Sequence, residues 1–294
     1  TGIIRLCVIF YYGQGIRGTL MSDILVMGAF FSFALFLTLR QKRAYAAVAG
    51  WCCMVLNLIT DVPAYLSDSN ILYPAMALLS LPFLAVTVER LLKDDQVIFQ
   101  LSRAAAASTL IFVPFALVPI LRDTLVAAVV NQVFFIISAL GNHPQLLAWD
   151  IMYENGFVNQ IVIGCTGIMA VAILLGVILG MENLSPGQAL AAVFLVVPTV
   201  WILNLLRVSV VFIAVSDRWF GSLPDPRPAA AGGADFFWAH NIFAEAIAVA
   251  GLLAMVWGLS RIIPGLAVFA RELVGVYRDA LYGHIIAVKN FIAG

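Results

Sequence analysis

Charge is what this sequence has least of. Sixteen Lys or Arg and sixteen Asp or Glu make up 11% of its 294 residues and cancel to a formal net charge of zero, where a soluble domain carries about a quarter charged residues. So sparse a charge excludes an ordinary water-facing surface, and zero net charge leaves no basic face for nucleic acid. Histidine occurs three times and cysteine four times, and Cys7, Cys52, Cys53 and Cys165 show no metal-ligand spacing, so neither a metal nor a cofactor is implied. There is no Gly-x-Ser-x-Gly elbow and no His-Glu-x-x-His motif, which leaves serine-elbow and zinc-peptidase chemistry without support. The opening residues, Thr1 to Cys7, lack the apolar run and small-residue cleavage site of a signal peptide.

What the sequence has in excess is apolar surface: 63% of the residues, with a mean hydropathy of +1.03. Apolar runs separated by short charged clusters are what a hydrocarbon core about 30 Å thick demands. The expected fold is therefore an all-α, polytopic transmembrane helix bundle. Seven spans are expected at about Ile24–Leu39, Ala44–Thr60, Ile71–Val88, Ala104–Leu121, Ile161–Met181, Gln188–Leu206 and Phe236–Ile263. Leu125–Leu140, interrupted by Asn131 and Gln132, is expected to be a short interfacial or re-entrant helix, or an eighth span if it crosses. The stretch from Gly141 to Gln160 reads as a polar loop whose Trp149, Tyr153 and Phe157 favour the headgroup region.

Residues 1–20 are expected to form an N-terminal extension ahead of Met21, a candidate natural start, and residues 21–263 the bundle. Residues 264–294 read as a cytoplasmic amphipathic tail, with Leu273, Val276, Tyr277, Ala280 and Leu281 on one face. If Leu125–Leu140 does not cross, ten of the sixteen basic residues fall on one side, which is then the inside. If it does cross, the split becomes nine to seven.

In the first arrangement three reactive side chains share the outer face. Cys165 is expected one turn into a span that starts outside, Arg207 at the end of the next span, and His240 at the start of the last. The same parity keeps them together if the face is the inner one. An imidazole can take the proton of a thiol, and a guanidinium can favour the thiolate and hold an oxyanion. Such a set suits attack on a peptide carbonyl, a thioester intermediate and transfer to a second nucleophile. Taken singly, each residue also has a bland reading: Cys165 as packing, Arg207 as a snorkelling cation, His240 as an interface residue beside Trp238.

In chain order, Gly164-Cys165-Thr166-Gly167-Ile168, Asn204-x-x-Arg207 and Ala239-His240-Asn241 resemble the motifs of the exosortase/archaeosortase family. The resemblance is specific over about 160–250 and rests mainly on hydropathy before that. It implies a membrane cysteine transpeptidase with Cys165 as nucleophile, His240 as general base and acid, and Arg207 as stabiliser of thiolate and oxyanion. Thr166, Gly167, Asn204 and Asn241 lie in the motifs as supporting residues, Thr166 either orienting the acyl carbonyl or bonding back to the helix. It further implies a substrate: secreted surface proteins, S-layer glycoproteins among them, that end in a Pro-Gly-Phe motif, a hydrophobic helix and a basic cluster. The acyl acceptor would be a membrane lipid amine of the ethanolamine type, and the site would face outside. Three other readings remain beside it: a hydrolytic membrane cysteine protease using water as acceptor, a small-solute transporter with Arg207 and His240 lining its path, and a non-catalytic membrane scaffold or assembly factor in which Cys165 is packing. A transporter predicts internal repeats, and no convincing repeat is present.

Overall fold

The computed structural model describes residues 20–67, 72–225 and 233–293. The expected N-terminal extension with Cys7, and Pro226, Pro228 and Gly232 of the connection before the last span, lie outside the described residues. In lipid a chain must satisfy its own backbone polar groups, which is why the apolar runs are helical. In chain order the first elements are α1 (Leu20–Thr38), α2 (Arg43–Thr60), a short α3 (Val62–Ser67), α4 (Leu72–Leu92), α5 (Gln96–Leu117) and α6 (Pro119–Ala139). Then come strands β1 (Gln145–Ala148), β2 (Ile151–Glu154) and β3 (Phe157–Gln160), followed by α7 (Ile168–Gly180) and α8 (Pro186–Ser216). The final run is α9 (Gly233–Phe236), a π-helical segment (Phe237–Ala244), α10 (Glu245–Ile262) and α11 (Pro264–Ala293).

One half of the bundle closes around α1, α2 and α5, where Phe33, Phe36, Ala47, Ile98, Phe99 and Ala106 are buried and Cys53 packs at the margin. Trp51 satisfies its indole within this apolar layer by donating to Ser102 Oγ at 2.9 Å. The apolar face expected on the C-terminal tail is used here: Leu273, Val276 and Tyr277 of α11 pack against the same cluster, and the Tyr277 hydroxyl lies 2.7 Å from Thr87 Oγ1.

Several helices differ from expectation in their bounds. Asp95 caps α5 by accepting from Val97 N at 3.0 Å, and the helix ends where Pro119 forces Val118 into extended backbone (φ −90°, ψ 109°). Pro119 then opens α6 at its first turn. The expected helix at Leu125–Leu140 thus begins six residues earlier, because Arg122 and Asp123, which break the hydropathy run, pair with each other at 2.8 Å. Conversely, the expected span Ile161–Met181 has only 13 helical residues, α7, about 20 Å long.

Among the described residues seven helices qualify by length and composition to cross a membrane, α6 among them and α7 not. Small residues of α7 meet small residues of α5: a Cβ on Gly176 would lie 2.5 Å from Ala104 O and overlap Ser108, and one on Gly180 would lie 2.9 Å from Ala104 Cβ. This small-xxx-small match brings the two backbones together, and its register makes α7 antiparallel to α5. The N-terminus of α7 therefore stands at the end of the bundle where α5 finishes and α6 begins. Because β3 leads directly into α7, the sheet sits at that end too. Helix α6, expected as a short interfacial or re-entrant helix, has 21 residues and the length and apolarity of a span, whereas α7, expected as a span, falls short of that length.

The expected polar loop is folded. Residues 145–160 form a three-stranded antiparallel sheet in the order β1-β2-β3. Asn155 and Gly156, both with positive φ (49° and 87°), make the two-residue turn that matches strand twist. Met152 and Ile161 pack with Val126, Val129, Val130, Val133 and Ile137 of α6 and with Leu205, Val208, Phe212 and Ile213 of α8. Helix α8 opens with a capping box between Ser185 and Gln188 and runs 31 residues, about 46 Å, well past the expected end at Leu206. Every residue from Val211 to Ser216 is buried, because α6, the sheet and the π-helical segment surround this stretch in place of lipid.

Candidate active site

The C-terminal half of α8 is the strut on which the three motifs meet. Cys165 closes a 3₁₀ turn, Ile163–Cys165, with its N–H on Val162 O at 2.8 Å. It was expected one turn inside a helix and instead stands three residues ahead of α7, half-buried against the sheet and α8. Thr166 is 1% exposed; its hydroxyl donates to Ile163 O at 2.7 Å and accepts from Ile168 N at 3.4 Å. Of its two expected uses, the bond back to the local backbone is the one seen. Gly167 then takes a left-handed conformation (φ 76°) at the helix start, which costs an L side chain and suits glycine.

Asn204, 8% exposed on α8, reaches this turn and donates from Nδ2 to the carbonyl of Cys165 itself at 2.8 Å. It also rests on Gly167, where an added Cβ would come within 3.1 Å of Asn204 Cγ. Arg207 follows at i+3 on the same face of α8. It does not close its helix as expected, because α8 continues for nine more residues. Arg207 is half-buried, and its guanidinium has no hydrogen-bond or ion-pair partner among the described residues. A guanidinium at partial burial without a carboxylate is available to an anionic ligand or oxyanion.

One turn further, Val211, Ala214 and Val215 pack against Ala239 of the π-helical segment. His240 sits in the middle of that segment, half-buried, with its ring stacked on Phe236 at 4.9 Å between centroids. Runs of π-helix are rare and concentrate at functional sites. From Asn204 to Val211 the helix rises about 10 Å, so the contact to the Cys165 turn, Arg207 and the contact beside His240 occupy two successive turns of one helix. Asn241 is half-buried beside His240. Among the described residues no three His, Cys, Asp or Glu side chains are grouped to hold a metal.

Two positioning groups escape a reading by motif. Asp150, 5% exposed, accepts from Gln160 Nε2 through Oδ2 at 2.8 Å and from Ile161 N through its carbonyl at 2.9 Å. It thereby pins the chain entering the Cys165 turn. Asp235, 9% exposed, accepts from Phe220 N at 2.6 Å and ties the end of α8 to the helix carrying His240. Their only signal in the sequence is a carboxylate within an apolar neighbourhood, which must find partners if buried.

The Asn204 contact makes a direct expectation. A single net hydrogen bond is worth about 1 kcal/mol, so Asn204→Ala should open the turn more often and speed alkylation of Cys165 roughly 3- to 10-fold. Timed labelling with a small thiol reagent measures it.

A family model for the transmembrane exosortase matches residues 19–223, well over half of the chain, and ends ahead of His240. The chain is 27% identical to Archaeosortase A of Haloferax volcanii over 292 residues, covering 90% of this chain and 94% of that one. It is 26% identical to Archaeosortase A of Natronomonas pharaonis over 259 residues, covering 81% of each. No solved structure matches. The family expected from the three motifs is thus the one found, over a region that holds the Cys165 and Arg207 motifs, and the chain belongs to the transmembrane exosortase family.

Proposed function

We propose that this membrane protein is a cysteine transpeptidase that removes the C-terminal sorting signal of secreted surface proteins and joins the new C-terminus to a membrane lipid amine. The observation that carries the reading is the shared strut: α8 holds the Cys165 turn through Asn204, presents Arg207 without a partner among the described residues, and abuts the segment bearing His240.

The steps follow from those groups. His240 takes the Cys165 proton, and the thiolate attacks the scissile carbonyl carbon. Arg207 stabilises the thiolate and then the oxyanion of the tetrahedral intermediate. Collapse breaks the C–N bond, the leaving amine takes the proton from His240, and a thioester to Cys165 remains. An acceptor amine then attacks the thioester, gives its proton to His240, and the new amide leaves as the Cys165 thiolate recovers that proton. Gly167 and Asn204 set the turn, Thr166 holds its backbone, and Asn241 flanks the base.

The substrate is a protein ending in a Pro-Gly-Phe motif, a hydrophobic helix and a basic cluster. A membrane-held helix delivers its preceding motif to one end of the bundle, where the Cys165 turn lies, and that end faces outside. Relatives named Archaeosortase A support this class of substrate. The acceptor decides between transpeptidation and hydrolysis. Intact-mass analysis of a processed substrate C-terminus is expected to show an added lipid headgroup; a free carboxylate on every processed molecule makes the chain a hydrolase instead.

A further inference from the structure

The sheet ahead of the Cys165 turn has an edge that nothing among the described residues uses. Ile161 N donates to Asp150 O, and the register Ile151↔Gln160, Met152↔Asn159, Tyr153↔Val158 and Glu154↔Phe157 then fixes which residues of β3 bond to β2. In an antiparallel pair, bonded and non-bonded positions alternate. The bonded positions are Phe157, Asn159 and Ile161, consistent with a two-residue turn closed by Glu154 and Phe157. Val158 and Gln160 therefore point their N–H and C=O groups away from β2, and these backbone groups make no hydrogen bond to any described residue.

An open edge of this kind is a template for another backbone. Two features say which backbone. Strand β3 leads straight into the turn that ends at Cys165, whereas β1 lies at the far side of the sheet. All four residues of β3 are half-buried, while three of four in β1 are exposed. The β3 edge is thus recessed, which suits one extended strand better than the open edge of a second copy's sheet.

We infer that the extended segment of the substrate around its cleavage point binds by adding a fourth strand to the edge of β3, with Val158 and Gln160 supplying backbone hydrogen bonds. This mode of binding reads the backbone and leaves side-chain selection to the positions on either side. The inference rests on the transpeptidase reading for its substrate and not for its geometry. It also accounts for the placement of a sheet within an otherwise helical protein: it extends the substrate before the thiol reaches it.

Proline separates the edge from the ladder. Val158→Pro removes an outward N–H and places its ring on the edge, yet costs no bond to β2, a position where strands accept proline. Binding is measured in a Cys165→Ala background, in detergent micelles, with a fluorescent synthetic peptide carrying a Pro-Gly-Phe segment and a hydrophobic helix. Val158→Pro is expected to weaken binding roughly 10-fold or more relative to Val158→Ala. Equal binding by the two variants overturns the inference, as does a change confined to oligomeric state. Intact folding is checked with Cys165 present, by an unchanged alkylation rate. If that rate changes, the same question is put to the peptide: N-methylation along the segment before the helix is expected to weaken binding to the unaltered edge at alternate positions, and uniform tolerance of it overturns the inference. Because binding is read without turnover, continued processing by Cys165→Ala would sink the catalytic reading and leave this result standing.

Discussion

Cys165→Ala should leave a protein that inserts and packs normally and processes nothing. In the proposed reaction the thiol is the group on which the acyl intermediate forms, so its loss removes the pathway and is expected to lower the rate on the order of 10⁴-fold or more. Packing gives no reason for collapse: Cys165 lies at the margin of its apolar cluster, half-buried, and the turn is held by backbone bonds and by Asn204. Cys165→Ser keeps the shape and a hydroxyl, and should also fail, because a serine in this site lacks a readily ionised nucleophile. Cys52→Ala and Cys53→Ala are the matched controls. They lie on α2, Cys53 beside the other apolar cluster, and should leave processing intact. Substrate processing in cells, followed by the mobility of a Pro-Gly-Phe-tailed surface protein, reads all four. Normal processing by Cys165→Ala would remove the nucleophile from the proposal.

Arg207 carries the second large effect. Removal of a single oxyanion donor typically costs about 10² to 10³ in turnover, and Arg207→Ala is expected to fall in that range or below it, since the same cation also favours the thiolate. The loss should appear in kcat far more than in KM, as for a contact made in the transition state. Arg207→Lys keeps the charge but loses the planar fork, and should recover only part of the rate. A KM effect alone, with kcat unchanged, would make Arg207 a substrate-binding residue. Because its guanidinium has no ion-pair partner among the described residues, Arg207→Ala leaves no carboxylate of theirs stranded, and a fall in rate can be read without a large correction for stability.

The bundle itself was legible because composition alone demands lipid. Its boundaries were less so where charge misled. Arg122 and Asp123 made α6 look short, although they satisfy each other at its first turn, and Pro119 was the better marker of its start. Arg207 looked like the end of a span because a cation usually marks the headgroup level. The apolar run continues the helix because protein, not lipid, covers it from Val211 to Val215. The Asn155-Gly156 pair is a strong hairpin signal that the surrounding polarity concealed. The π-helical winding around His240 has no periodicity a sequence would show, and the bond from Asn204 to the Cys165 carbonyl depends on a crossing of helices that spacing does not encode. Counting spans places Cys165, Arg207 and His240 together as an expectation, and such counting tolerates boundary errors of several residues.

The length of α8 has a consequence for the bilayer. At about 46 Å it exceeds a hydrocarbon core of about 30 Å, and because protein sheathes its C-terminal stretch, helix and sheath should answer a change in membrane thickness by tilting as one body. Asn204, Arg207 and the Val211 contact lie within two turns of that one helix, so a tilt carries them together. Thickness should therefore alter how high the site rides relative to the headgroups without spreading its members apart. Under the proposed function, lipid chain length should then act on what reaches the thiol through the height of a rigid site and not through its shape.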